Sequence, residues 1–134
     1  MRDSAQKKVM LIVEDDSWLL ADLSNAFEKA GYRVVAVSDF KAALASLEKE
    51  PFDAVLSDWN FPSVPGCLAS EVSGAALVRE AVARSIPIVV MSGQWVFSAV
   101  DKLGAAGFIP KPFDKNIIVQ FETLIEDAKG AERV

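Results

Sequence analysis

Two short apolar runs without polar alternation, Val9–Val13 and Ala54–Leu56, stand out from segments whose apolar residues recur at helical spacing. Such runs suit parallel strands covered on both faces. Each leads into acid: Val13 is followed by Glu14, Asp15 and Asp16, and Leu56 by Ser57 and Asp58. Between them, Leu19, Leu20, Leu23, Phe27 and Ala30 define a helix capped by Asp16 or Ser17 and stopped by Gly31. Tyr32–Val37 reads as a β-branched strand. Ser38 or Asp39 caps a second helix bearing Phe40, Ala43, Leu44 and Leu47, and Pro51 separates it from the strand that carries Asp58. Asn60 and Pro62 then break the strand pattern.

From Pro62 to Ser73 periodicity fails, and prolines, a glycine and serines predict an exposed loop. Gly74–Arg84 predicts a third, alanine-rich helix. Ile86–Met91 predicts a strand with Pro87 at its beginning, where a missing donor does least harm. Ser92-Gly93 turns into a short helical stretch from about Trp95 to Leu103. Phe108-Ile109 is a brief last strand, and Pro110 argues for a sheet edge. Asp114 caps a closing helix whose stripe is Ile117, Ile118, Phe121, Leu124, Ile125 and Ala128. Strand and helix thus alternate throughout. Right-handed crossovers then give an α/β fold with a parallel sheet covered on both faces, and for a chain of this size a flavodoxin-like (βα)5 doubly wound five-stranded sheet of strand order 2-1-3-4-5 is expected.

The chain's 134 residues, 51% apolar, fit one domain with a core from about Lys8 to Ala128. A net charge of −5 offers no basic excess for nucleic acid or an anionic membrane. Cys67, the single cysteine, has no intrachain disulfide partner. Met1–Lys8 is polar, and no apolar run approaches the length of a membrane span, so a soluble cytoplasmic protein without membrane insertion is expected.

Strand order changes the meaning of the acids. With strands one and three adjacent at the topological switch point, Glu14 and Asp15 face Asp58 across one crevice. Like charges at short range raise one another's pKa, and a hard divalent cation relieves them. Mg²⁺ suits best, because it binds a few carboxylates, keeps waters and meets phosphate oxygens. Lys111 and Ser92, at the ends of strands five and four, project to the same edge. A cation, an ammonium and a hydroxyl around one aspartate are what phosphoryl transfer to Asp58 needs. Taken singly, the acids are favourable charges at a helix N-terminus, Asp58 and Ser92 are turn residues, and Lys111 is a solvated lysine. Joint placement on one edge is what those readings leave unexplained.

These residues bring the chain to a known pattern: it resembles a response regulator receiver domain, from about Lys8 to Ala128. The likeness rests on Val-Glu14-Asp15-Asp16, Ser-Asp58-Trp-Asn-Phe-Pro62, Ser92 after an apolar strand, Gly104-Ala-Ala-Gly-Phe108, and Lys111-Pro112-Phe113. It implies that Asp58 takes a phosphoryl group from a phosphohistidine on a sensor histidine kinase or histidine phosphotransfer protein. It implies Mg²⁺ ligation directly by Asp15, through water by Glu14, by Asp58, and by the Asn60 backbone carbonyl. Lys111 would pair with the phosphate, Ser92 would hydrogen-bond it, and Phe108 would hold the aromatic position that moves inward with Ser92. The family's Lys-Pro bond at Lys111-Pro112 is commonly cis.

Departures accompany the likeness. The stretch from Pro62 to Gly74 is about eight residues longer than the family's usual spacing, and Ser92–Gly104 about three shorter, trimming the fourth helix or the loop before it. Phe108 replaces the commoner tyrosine. Trp95, Val96 and Phe97 are expected to pack into the core; exposed, they would mark a partner-binding patch. With no histidine in the sequence, the phosphohistidine must come from a partner. The chain stops soon after the fifth helix, so a stand-alone switch without an output domain is expected. It is not an enzyme beyond its own phosphorylation and dephosphorylation. Two other functions compete: a pseudo-receiver that binds protein without being phosphorylated, and a small-molecule phosphatase with Asp58 as nucleophile. The phosphatase would want a second acid two residues on, where Asn60 stands.

Overall fold

β1 (Val9–Val13) and β3 (Ala54–Asp58) lie side by side at the centre of a five-stranded parallel sheet. The computed structural model describes residues 7–113 and 116–132. β2 (Arg33–Val37) pairs with the outer side of β1, and β4 (Ile88–Ser92) and β5 (Gly107–Pro110) extend the sheet beyond β3. The order is β2-β1-β3-β4-β5, the flavodoxin-like order expected for a chain of this size. Pro110 does fall on an edge strand. The five intervening helices are α1 (Ser17–Lys29), α2 (Phe40–Lys49), α3 (Glu71–Ala83), α4 (Phe97–Lys102) and α5 (Ile117–Glu132). None of the described helices is long and apolar enough to cross a membrane.

The unbroken apolar runs have their cause in the two cores. Met10 and Ile12 pack beneath α1 and α5 with Leu23, Phe27, Phe121 and Ile125, whereas Leu11 and Val13 pack beneath α2 and α3 with Leu47, Leu77 and Val78. Period-two alternation therefore sorts residues between two dry faces, and β3 and β4 are buried at every position. Phe27 meets Tyr32 and Phe121 edge-on at centroid distances of 5.5 and 5.3 Å, contacts worth about 1 kcal/mol each beyond area burial.

Helix ends follow local chemistry. Asp16, not Ser17, caps α1: its carboxylate accepts from the N–H groups of Trp18 and Leu19. Gly31, at φ +104°, allows Tyr32 N–H to reach Phe27 C=O and close the helix. Asp39 caps α2 through Ala42 N–H. The cap expected at Asp114 lies outside the described residues.

Three boundaries differ from expectation. Strand β4 starts at Ile88, past Pro87, whose carbonyl accepts from Val55 N–H. α4 starts at Phe97 rather than Trp95 and has six residues, with no side-chain cap at Val96. α3 starts at Glu71, three residues before Gly74, because Ser70 caps it and an antiparallel bridge between Phe61 and Ser70 closes the loop. The loop is also pinned to α2, whose Phe40 and Lys41 N–H groups donate to the Pro62 and Ser63 carbonyls.

Gly74 is thus not a helix start but a contact. A Cβ there would lie 2.0 Å from the Trp59 carbonyl oxygen, on the backbone that follows Asp58. Gly74→Ala is expected to push α3 off β3 and destabilise the fold by about 3 kcal/mol, as overpacking against backbone does. A urea midpoint equal to that of the unmodified protein would show that α3 does not press there.

Candidate functional site

The C-terminal ends of β1, β3 and β5 carry the site. β1 stops where Glu14 N–H donates to Val37 C=O, so the acids that follow leave the sheet at its rim. In the β1–β3 register Val13 faces Ser57, which puts Glu14 beside Asp58. Glu14, Asp15 and Asp58 each present a carboxylate oxygen, all within 4.8 Å of one another. Glu14 is 2% exposed and Asp58 8%, while Asp15 faces solvent.

Among the described residues, one cation stands amid the three acids. Lys111 Nζ lies 3.1 and 3.3 Å from the Glu14 carboxylate oxygens and 3.4 Å from Asp58 Oδ2. The other Asp58 oxygen accepts from Trp59 N–H at 2.8 Å, which fixes the carboxylate plane. Burial, then the Asp58 charge and hydrogen bond, push Glu14 from 4.5 up to about 7 against the opposing pull of Lys111. Asp15 is raised too, by burial and by Asp58. Three carboxylates with one ammonium leave net negative charge in a partly dry crevice, the condition a divalent cation relieves. The oxygen-only donor set fits Mg²⁺ or a similar hard ion.

The remaining expected residues surround this group. Ser92, at the end of β4, is buried; its Oγ accepts from Gln94 N–H at 3.0 Å, and its carbonyl accepts from Lys111 N–H. Asn60 is half-buried at the rim, and its Nδ2 donates to Gln94 Oε1 at 3.5 Å. Phe108 is half-buried on β5, paired in register with Val90. The Lys111-Pro112 peptide is cis.

One expectation is corrected. Trp95 is 78% and Phe97 47% exposed, so the two rings are not core; only Val96 of that trio packs against it. The cause is the shortness of α4: its six residues leave Trp95 in the preceding loop and bury only Val100 of the helix itself. Sequence reasoning missed Gln94, which contacts both Ser92 and Asn60. Its position two residues after Ser92, across from Asn60, was the available signal.

Comparison with known proteins agrees with this geometry. The family model described as the response regulator receiver domain matches residues 10–121, and the chain belongs to that family. Receiver domains act as regulatory switches rather than as enzymes. The chain is similar to the response regulator protein FleR of Pseudomonas aeruginosa, 33% identical over 116 residues that make up 82% of this chain and 23% of FleR. Among solved structures, it resembles the non-phosphorylated HemR receiver domain of Leptospira biflexa, with 29% identity and a TM-score of 0.74 over 89% of this chain and 94% of that one. The chemotaxis response regulator CheY4 of Vibrio cholerae shares the fold at 24% identity, with a TM-score of 0.74 over 90% and 99% of the two chains. The chain spans less than half the length of the curated relatives it matches.

Proposed function

We propose that this chain is a cytoplasmic phosphoacceptor switch of a two-component or phosphorelay system, in which Asp58 is the phosphorylated residue. The convergence of Glu14, Asp15, Asp58 and Lys111 at one sheet edge carries the reading. The donor is a phosphohistidine on a sensor histidine kinase or histidine phosphotransfer protein. The phosphorus–nitrogen bond breaks as an Asp58 oxygen bonds to phosphorus, and the imidazole leaves.

Each neighbour has a task in that transfer. Trp59 N–H holds Asp58 Oδ1, which leaves Oδ2, beside Lys111, to meet phosphorus. Lys111 exchanges its partners Glu14 and Asp58 for the phosphoryl oxygens, and the Ser92 hydroxyl donates to one of them. Asp15, Asp58 and the backbone carbonyl of Asn60, with Glu14 acting through water, would hold Mg²⁺, which would supply charge neutralisation for the incoming group. Movement of Ser92 with Phe108 then alters a protein-binding surface.

Intact-protein mass after incubation with acetyl phosphate and Mg²⁺ tests the proposal. A gain of one phosphoryl group, lost when the metal is chelated, is expected. No gain from acetyl phosphate and none from a phosphorylated histidine phosphotransfer protein would leave the chain a binding module that ignores phosphate.

A further inference from the structure

We propose that Trp95 is a positioning residue, a clasp that holds the loop between β4 and α4, and with it Ser92, in the unphosphorylated arrangement. The inference rests on Asp58 being the phosphoacceptor. Though largely exposed, the Trp95 ring meets Phe108 edge-on at 5.5 Å and 86°, and stacks on Phe97 at 6.2 Å and 25°. It therefore bridges three parts of the molecule: the loop, the start of α4, and β5, the strand that leads into Lys111. Besides the packing of Val96 and the hydrogen bonds of Gln94, these ring contacts help hold the loop, because a six-residue helix without a side-chain cap is a weak anchor.

The loop is tied to the site through Ser92. Gln94 N–H donates to Ser92 Oγ, and Gln94 is bonded to Trp95. A phosphoryl group on Asp58 would bring three strong acceptors to the end of β3, next to β4. The Ser92 hydroxyl can donate to them while its oxygen still accepts from Gln94 N–H, so movement of Ser92 toward Asp58 draws Gln94, and the peptide joining Gln94 to Trp95, with it. The Asn60–Gln94 contact across the rim loosens with it. Opening the Trp95–Phe108 and Trp95–Phe97 contacts is then part of the transition, and those contacts favour the unphosphorylated state. Phe108, which has no hydroxyl, has no hydrogen bond of its own to lock either position. Its ring is held by packing against the core and by the edge contact with Trp95.

Removing the clasp should therefore make phosphorylation easier. Trp95→Ala is expected to raise the rate of phosphorylation by acetyl phosphate with Mg²⁺ about 3- to 10-fold, the factor that one or two lost ring contacts convert to. Trp95→Phe, which keeps an aromatic edge, should return most of the way to the unmodified rate. In protein labelled with 5-fluorotryptophan, the Trp95 ¹⁹F resonance, assigned with Trp95→Phe, should shift on adding beryllium fluoride and Mg²⁺, while that of Trp18 on α1 stays in place. Equal rates for all three proteins together with an unmoved Trp95 resonance, in samples that do gain phosphate on Asp58, would overturn the clasp and leave the phosphoacceptor reading standing. If the unmodified protein takes up no phosphate and its Trp95 resonance does not respond, both fall together.

Discussion

Asp58→Asn is expected to abolish phosphoryl uptake while leaving the fold intact and more stable than before. Asparagine keeps the shape and the carbonyl oxygen that accepts from Trp59 N–H, but it has no anionic oxygen to attack phosphorus. The Asp58 charge is one cause of the raised Glu14 pKa, and neutralising it removes that repulsion on the buried Glu14 carboxylate. The metal-free variant should gain about 1 kcal/mol at pH 8, the usual exchange between site function and stability. Intact mass after acetyl phosphate treatment and a urea titration are the two measurements. A variant that still gains phosphate on a carboxylate places the acceptor elsewhere. One that unfolds earlier means that Asp58 is held by the fold rather than against it.

The second large effect is a pH dependence owed to Glu14. Its pKa rises from 4.5 to about 7 on folding, so the folded state binds that proton more tightly than the unfolded chain does. Stability from this group is fully present below pH 4.5, declines as pH rises, and is lost above pH 7. The interval corresponds to about 3 kcal/mol. In metal-free buffer, urea unfolding followed from pH 5 to 8 should show that decline. Adding Mg²⁺ should flatten it, because a divalent cation favours the ionised carboxylate. Glu14→Gln cannot titrate, and it should be the more stable protein at pH 8 by about 1–3 kcal/mol even without its ion pair to Lys111. An identical slope in Glu14→Gln would assign the effect to other groups.

Much of this site was legible before any coordinates, for a physical reason. Ligands of an open α/β sheet gather where parallel strands end, and strand ends are marked locally by an apolar run giving way to polar residues. Glu14, Asp15, Asp58, Ser92 and Lys111 all sit at such transitions, so strand order alone placed them on one edge. Burial on both sides explains why β3 and β4 were recognised despite their shortness: five consecutive dry positions leave no polar alternation to confuse them with an exposed sheet. The family resemblance supplied the roles proposed for the Asn60 backbone carbonyl and for Phe108, which no spacing would suggest.

Misplaced boundaries share another cause. Gly74 read as a helix start because glycine is a poor helix former, whereas tertiary contact demands it inside α3, where the Trp59 carbonyl leaves no room for a Cβ. Trp95 and Phe97 read as core because large aromatic side chains usually are, but α4 begins only at Phe97, so Trp95 stays in the preceding loop and the helix buries Val100 instead.

By itself the sequence determined the alternation of strands and helices, the expected sheet order, the residue pairs Asp16/Ser17 and Ser38/Asp39 that offer the caps of α1 and α2, and the gathering of acids and lysine at one edge. Those follow from local preference and from crossover handedness, which act along the chain. Only the tertiary structure decided that Lys111 spans Glu14 and Asp58, that Gln94 links Ser92 to Asn60, that the Pro62–Ser70 loop is pinned to α2, and that Trp95 lies over Phe108. Each of these joins residues far apart in sequence or selects one side-chain direction among several. Packing sets such choices, and packing is not written in any one segment.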